Sequence, residues 1–105
     1  MFPKANYLEM PYTVDDAANR LMADLDLRDR IRMADMDEAQ VRLLHTRVGK
    51  TIVNEFRLWE GNDKLLQSCI MAPEMDAGGI NDPSMVIVMR MWRRLRRTHR
   101  LRLVK

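Results

Sequence analysis

Residues 82–98, DPSMVIVMRMWRRLRRT, constrain the fold of this chain more than any other stretch. An aspartate followed by proline starts a helix. The carboxylate caps free N–H groups, and proline fits the first helical position, where its missing N–H is not needed. At about 100° per residue, Met85, Val88, Met89, Met91, Trp92 and Leu95 form one apolar arc, and Arg90, Arg93, Arg94 and Arg97 the opposite arc. The run at 85–89 also suits a buried strand. The Asp-Pro start and the Met89, Trp92, Leu95 spacing select a helix over 83–98. Its apolar arc has to be covered by other elements, while its arginines fan outward.

The rest of the chain supplies helices to do so. Thr13 before Val14, Asp15 and Asp16 reads as an N-cap with first-turn acids, and Pro11 stops backward extension. Val14, Ala17, Ala18, Leu21, Met22 and Leu25 then recur at helical steps, predicting a helix over 14–25. Residues 26–35 have room for one extra short helical turn anchored by Ile31. Asp35-Met36-Asp37-Glu38 reads as a capping box, with Glu38 reaching back to the cap. It opens a central helix at 37–57, whose stripe is Val41, Leu44, Val48, Ile52 and Phe56. Gly61 suits a positive φ, and Asn62 caps a helix over 63–70 with Leu65, Leu66 and Cys69 or Ile70 inward. Residues 71–82 read as the main loop, punctuated by Pro73 and Gly78-Gly79. No alternating strand and no repeat is present. The expectation is an all-α bundle of four main helices in one domain at 11–98, with an N-terminal extension at 1–10 and a basic tail at 99–105. The central helix packs on the first and last, and Trp59 closes one end of the core.

Gly49-Lys50-Thr51 has the last letters of a phosphate-binding loop. That motif needs a first glycine at position 44, which is Leu44, and a preceding strand. Gly49 is read instead as a mid-helix glycine that costs about 1 kcal/mol relative to alanine and admits a closely crossing helix.

The run His45-x3-Gly49-x2-Ile52-x-Asn54-Glu55-Phe56-x-Leu58-Trp59-x2-Asn62, followed by Asp82-Pro83-x-Met85 and a basic helix end, resembles the DUF6794 family, small and mainly bacterial domains of unknown function. Pro11-x-Thr13-x-Asp15-x-Ala17 resembles the family's start, so the likeness spans about residues 10–97. The chain departs from the pattern at Val53, where the resemblance leads one to expect arginine, and at Arg57, where it leads one to expect glycine. The resemblance implies an architecture and no chemistry.

Charge is the strongest functional signal. Residues 1–82 carry 10 basic and 15 acidic side chains, whereas residues 83–105 carry eight basic and no acidic ones. A basic segment of this kind holds an external polyanion, or it lies on the acidic remainder of its own chain or of a second copy. The expected contact residues are Arg90, Arg93, Arg94, Arg97, Arg100 and Arg102. An acidic protein surface or a homo-oligomer partner is the leading expectation. Nucleic acid phosphates are the alternative, disfavoured because Trp92 points inward and no other aromatic lies near for base stacking. The basic amphipathic pattern also permits a membrane surface. No apolar run is long enough to span a bilayer or to form a signal peptide, and the single cysteine allows no internal disulfide, so a cytoplasmic chain is expected.

Catalytic and metal chemistry find little support. His45 lies within the apolar stripe and is read as a satisfied core group before a general base. Ser68 and Cys69 have no neighbouring histidine in sequence. Cys69, Met71 and Met75 offer soft sulfur, but ligand number and spacing fall short of a standard site. No cofactor, no metal and no enzymatic activity are expected. Glu55 and Arg96 both fall on apolar faces, and pairing with each other is the expected remedy.

Overall fold

The computed structural model describes residues 10–76, 80 and 82–99. Six helices follow one another among the described residues: α1 Val14–Asp24, α2 Leu27–Ala34, α3 Glu38–Phe56, α4 Asp63–Ile70, α5 Pro73–Asp76 and α6 Pro83–Thr98. The all-α expectation holds, and the bounds of α1, α3, α4 and α6 match to within one residue. The Gly78-Gly79 pair and most of the basic tail lie outside the described residues.

Local chemistry explains most boundaries. Thr13 Oγ1 accepts from the Asp16 N–H at 3.0 Å and starts α1. Asp82 Oδ1 accepts from the Ser84 N–H at 3.0 Å and starts α6. The N-cap of α3 is Asp37, two residues later than the cap that the sequence reading chose. Asp37 Oδ1 accepts from the Gln40 N–H at 2.8 Å, and Gln40 Oε1 accepts from the Asp37 N–H at 2.9 Å. Asp35 and Asp37 are both followed, three residues on, by a side chain able to reach back. The ambiguity is resolved by α2, which uses Asp35 as its own C-terminal cap. Glu38 instead pairs with Arg42 one turn along.

The region expected to hold one turn is the eight-residue α2, started by Asp26 accepting from the Asp29 N–H at 2.8 Å. Its anchors are Met33 and Ala34; Ile31 is only half-buried. Arg30 Nε donates to the Met22 carbonyl at 3.0 Å, tying α2 to the last turn of α1.

Asn62 organises the end of α3. It is buried, and its Nδ2 donates to the Phe56 carbonyl at 2.8 Å and to the Pro11 carbonyl at 3.0 Å, while its Oδ1 accepts from the Leu65 N–H. One amide therefore closes α3, starts α4 and fastens the segment before α1. The reversal begins at Arg57, which holds φ +52° as the α3 C-cap. This left-handed position ordinarily favours glycine, the residue that the resemblance led one to expect there. The turn carries Leu58 fully inside and leaves Trp59 62% exposed, so Leu58 and not Trp59 closes this end of the core.

The hub is α6, not α3. It packs against each of the other five helices, whereas α3 packs chiefly on α6, and α1 on α6 and α4. Every residue at 83–89 is buried, so the first half of α6 is covered on all sides. Full burial of side chains such as Val86, Ile87 and Val88 contributes about 1.5–3 kcal/mol each. At two points polar groups reinforce the packing. Trp92 Nε1 donates to the Met36 carbonyl at 3.1 Å, and Ser68 Oγ accepts from the Val14 N–H at 3.0 Å.

Candidate functional site

Past Met89, α6 emerges from its all-round cover and acquires two faces. Arg90, Arg93, Arg94 and Arg97 lie at successive steps of three, one and three residues, along one side. Two carboxylates meet them. Glu74, from the short helix α5, is only 3% exposed. It accepts from Arg90 Nε at 2.7 Å and from Arg90 Nη2 at 2.8 Å, a two-point fork. Asp15, from the first turn of α1, accepts from Arg90 Nη1 at 2.7 Å and lies 2.7 Å from Arg94 Nη2. Arg94 also donates to Asn19 Oδ1.

The expected fan of free arginines is therefore corrected for half of its described members. Arg90 and Arg94 are held inside the molecule, with side chains only 23% and 24% exposed. Arg93 approaches Glu74 only at 3.9 Å and is mostly solvated. Among the described residues Arg97 has no acidic partner and is exposed. Arg100 and Arg102 lie outside the described residues. Glu55 and Arg96 do not pair. Arg96 lies over the Trp92 ring, its guanidinium carbon 4.8 Å from the centroid, which gives the charge an aromatic face instead.

The electrostatics follow from this fork. Hydrogen bonding from Arg90 holds the Glu74 carboxyl below the ordinary glutamate range, against the opposing effect of burial. In return, Glu74 holds Arg90 more firmly cationic. Glu74, Arg90, Arg93, Arg94, Arg96 and Arg97 line a surface cleft of about 440 Å³. Five guanidinium groups against Glu74 and Asp15 leave a net charge of +3. The two residues that shape this cleft without having been singled out are Glu74 and Asp15. Asp15 read as a helix-start acid, and Glu74 sat in what read as loop; only the packing of α1 and α5 on α6 brings them to the arginines.

A second, larger depression of about 590 Å³ includes His45, Gly49, Asn54, Asp82 and Ser84. His45 Nε2 lies 2.6 Å from Ser84 Oγ, whose hydroxyl donates to Asp82 Oδ1 at 2.8 Å. With its proton on Asp82, the serine oxygen accepts from the imidazole. A base activating this serine would need the opposite polarity, with the carboxylate on the far ring nitrogen. The carboxylate here is also the cap of α6, and Ser84 is 2% exposed. The constellation joins α3 to the start of α6.

Gly49 belongs to the same arrangement. A Cβ at this position would stand 2.9 Å from His45 Nε2. The glycine thus makes room for an imidazole of its own helix, one turn back. The sulfur residues differ in burial. Cys69 is fully buried, its thiol pushed up to about 12 by burial, while Met71 is 79% exposed. Among the described residues no group of three or more His, Cys, Asp and Glu side chains is placed to hold a metal, and no helix is long and apolar enough to cross a membrane.

A family model described as a domain of unknown function, DUF6794, matches residues 10–95 of the chain. No curated protein and no solved structure matches it.

Proposed function

We propose that this chain, which belongs to the DUF6794 family, is a non-catalytic cytoplasmic interaction domain whose last helix docks an acidic protein surface. The observation that carries this reading is the cleft on α6, in which the paired Arg90 and Arg94 form a fixed floor beneath the solvated Arg93 and Arg97. Internal ion pairs remove two arginines from the contact set and give the others a rigid base, which lowers the ordering cost of binding. The positive field steers an acidic partner, and Arg93 and Arg97 then meet its carboxylates in two-point pairs. Nucleic acid could use the same charges. Trp92, next to them on α6, is 5% exposed, occupied by the Met36 carbonyl and covered by Arg96, so it offers bases no stacking platform.

The test titrates the full chain with a glutamate-rich peptide and, separately, with random-sequence duplex DNA across a range of salt. Peptide binding that falls about tenfold or more in the Arg93→Ala/Arg97→Ala variant is expected, since each lost charge pair weakens both encounter and complex. DNA retention with a steep salt slope, lost in the same variant, transfers the face to nucleic acid. Binding to neither probe makes the arginines a solvated surface and removes the proposal.

A further inference from the structure

A different face of the molecule, on α2 and α3, carries an exposed leucine at its middle among polar and half-buried neighbours. Gln40, Leu43 and Arg47 follow one another on α3 at steps of three and four residues, and half-buried Met36, in the link before the Asp37 cap, adjoins them in the same depression. The three helical residues fall within about 60° of one another. The buried stripe of Val41, Val48 and Ile52 points well away from them. Leu43, in the middle of this outer seam, is 62% exposed. Two adjoining depressions of about 370 and 190 Å³ share Met36 and Gln40, one running on to Ile31 and Asp35, the other to Leu44 and Arg47.

Alternating steps of three and four residues are the spacing by which one helix seats against another, and a single polar residue within such a seam sets its register. We infer that this seam pairs α3 with α3 of a second copy of the chain, antiparallel about a two-fold axis between Gln40 and Leu43. Charge decides the occupant and the orientation. One end of the seam carries Asp35 and the other Arg47. The two-fold sets Arg47 against Met36 and Asp35 of the partner subunit, and does so twice. The arginine stem lies on the apolar side chain and its guanidinium reaches the carboxylate. Leu43 then meets the partner's Gln40. A parallel pairing sets Arg47 beside Arg47 and Asp35 beside Asp35. The antiparallel arrangement also opposes the two helix dipoles favourably. Arg32 stands at the Asp35 end and is a like charge that Arg47 meets, so the pairing is reversible, with a dissociation constant on the order of 1–100 µM for so short a seam.

Sedimentation of the full chain over a concentration range spanning that constant tests the inference. A monomer–dimer equilibrium is expected. Leu43→Asp makes the chain monomeric with unchanged helical circular dichroism, because Leu43 contributes little to the monomer's core. Arg47→Glu and Asp35→Arg each weaken the dimer about tenfold or more, and their combination in one chain restores it, since reversed charges again face each other. Arg93→Ala/Arg97→Ala leaves the equilibrium unchanged, which separates this surface from the α6 cleft. A chain that is monomeric throughout, a dimer that survives Leu43→Asp, a combined charge reversal without recovery, or a dimer lost with the α6 arginines each overturns it.

Discussion

Replacing Glu74 with glutamine tests how far the ion pairs beneath the arginine cleft hold the fold together. The substitution keeps the shape and removes the charge. Glutamine retains one carbonyl oxygen for Arg90, but its amide nitrogen then faces a guanidinium donor where Glu74 accepts at 2.7 and 2.8 Å. One charge-assisted hydrogen bond is lost and one donor–donor contact is made. Removing one partner of a buried pair costs about 3–5 kcal/mol. Arg90 keeps Asp15 at 2.7 Å and some exposure, which places the loss lower, at about 2–3 kcal/mol. For a domain of this length that lowers the thermal midpoint by about 10–15 °C. The assay is thermal unfolding followed by circular dichroism near pH 7, with Arg97→Gln as the exposed control, expected to change stability by less than about 0.5 kcal/mol. The pH dependence has a definite sign. Because the folded-state pKa of Glu74 is lowered, its contribution is complete above the unfolded value of about 4.3 and is lost as the pH falls through the folded value. The gap between parent and Glu74→Gln therefore narrows below about pH 4. An unchanged midpoint near neutrality, or a gap of the same size after acidification, refutes the reasoning.

Three further outcomes follow from particular contacts. Gly49→Ala sets a gain in helix propensity of about 1 kcal/mol against displacement of the His45 ring from Ser84, so it is neutral or destabilising in the parent chain. In a His45→Ala background the same change stabilises by about 1 kcal/mol, and a double-mutant cycle in urea that lacks this reversal dismisses the contact. Asn62→Ala removes the hydrogen bonds to the Phe56 and Pro11 carbonyls and costs about 2–3 kcal/mol in urea unfolding; a loss under about 0.5 kcal/mol means that Asn62 does not hold the turn. Cys69, buried with its thiol pushed up to about 12, reacts with a disulfide reagent at pH 8 only as the chain unfolds, so rapid labelling of the native protein contradicts its placement.

The parts of this fold that were legible are those set by chemistry within a few residues. Thr13, Asn62 and Asp82 announce helix starts by themselves, since a short polar side chain before an apolar period has one plain use. The capping of α3 was legible only in kind: two aspartates competed, and the choice depended on α2 using Asp35 as its end. Trp59 was misplaced because its size argued for burial, whereas the left-handed turn at Arg57 fixes which neighbour enters the core. α5 was missed because four residues carry too little periodicity to be read. The roles of Gly49 and Arg96 are likewise side-chain matters, an imidazole packed on a bare backbone and a cation over an indole, and no periodicity encodes either.

The charge asymmetry along the chain was plain in the sequence, and the consequence first drawn from it was too broad. Eight positive charges after residue 82 read as a surface for an external polyanion or for the acidic remainder of this chain or of a second copy, and the expected contact residues followed from an outside partner alone. In the folded chain the described part of that surface is divided by depth. Arg90 and Arg94, on the side of α6 that faces α1 and α5, meet the carboxylates that those helices bring, because a guanidinium at the edge of an apolar core is tolerable only when paired. Arg93 and Arg97 lie further from those carboxylates and stay solvated. The same ion pairs that consume half of the basic arc also fasten α1 and α5 to α6. Loss of the Glu74 pair therefore has to weaken the domain and loosen the floor of the cleft together, whereas loss of Arg93 and Arg97 has to weaken binding alone. A variant that separates recognition from stability can be sought only among the outer arginines.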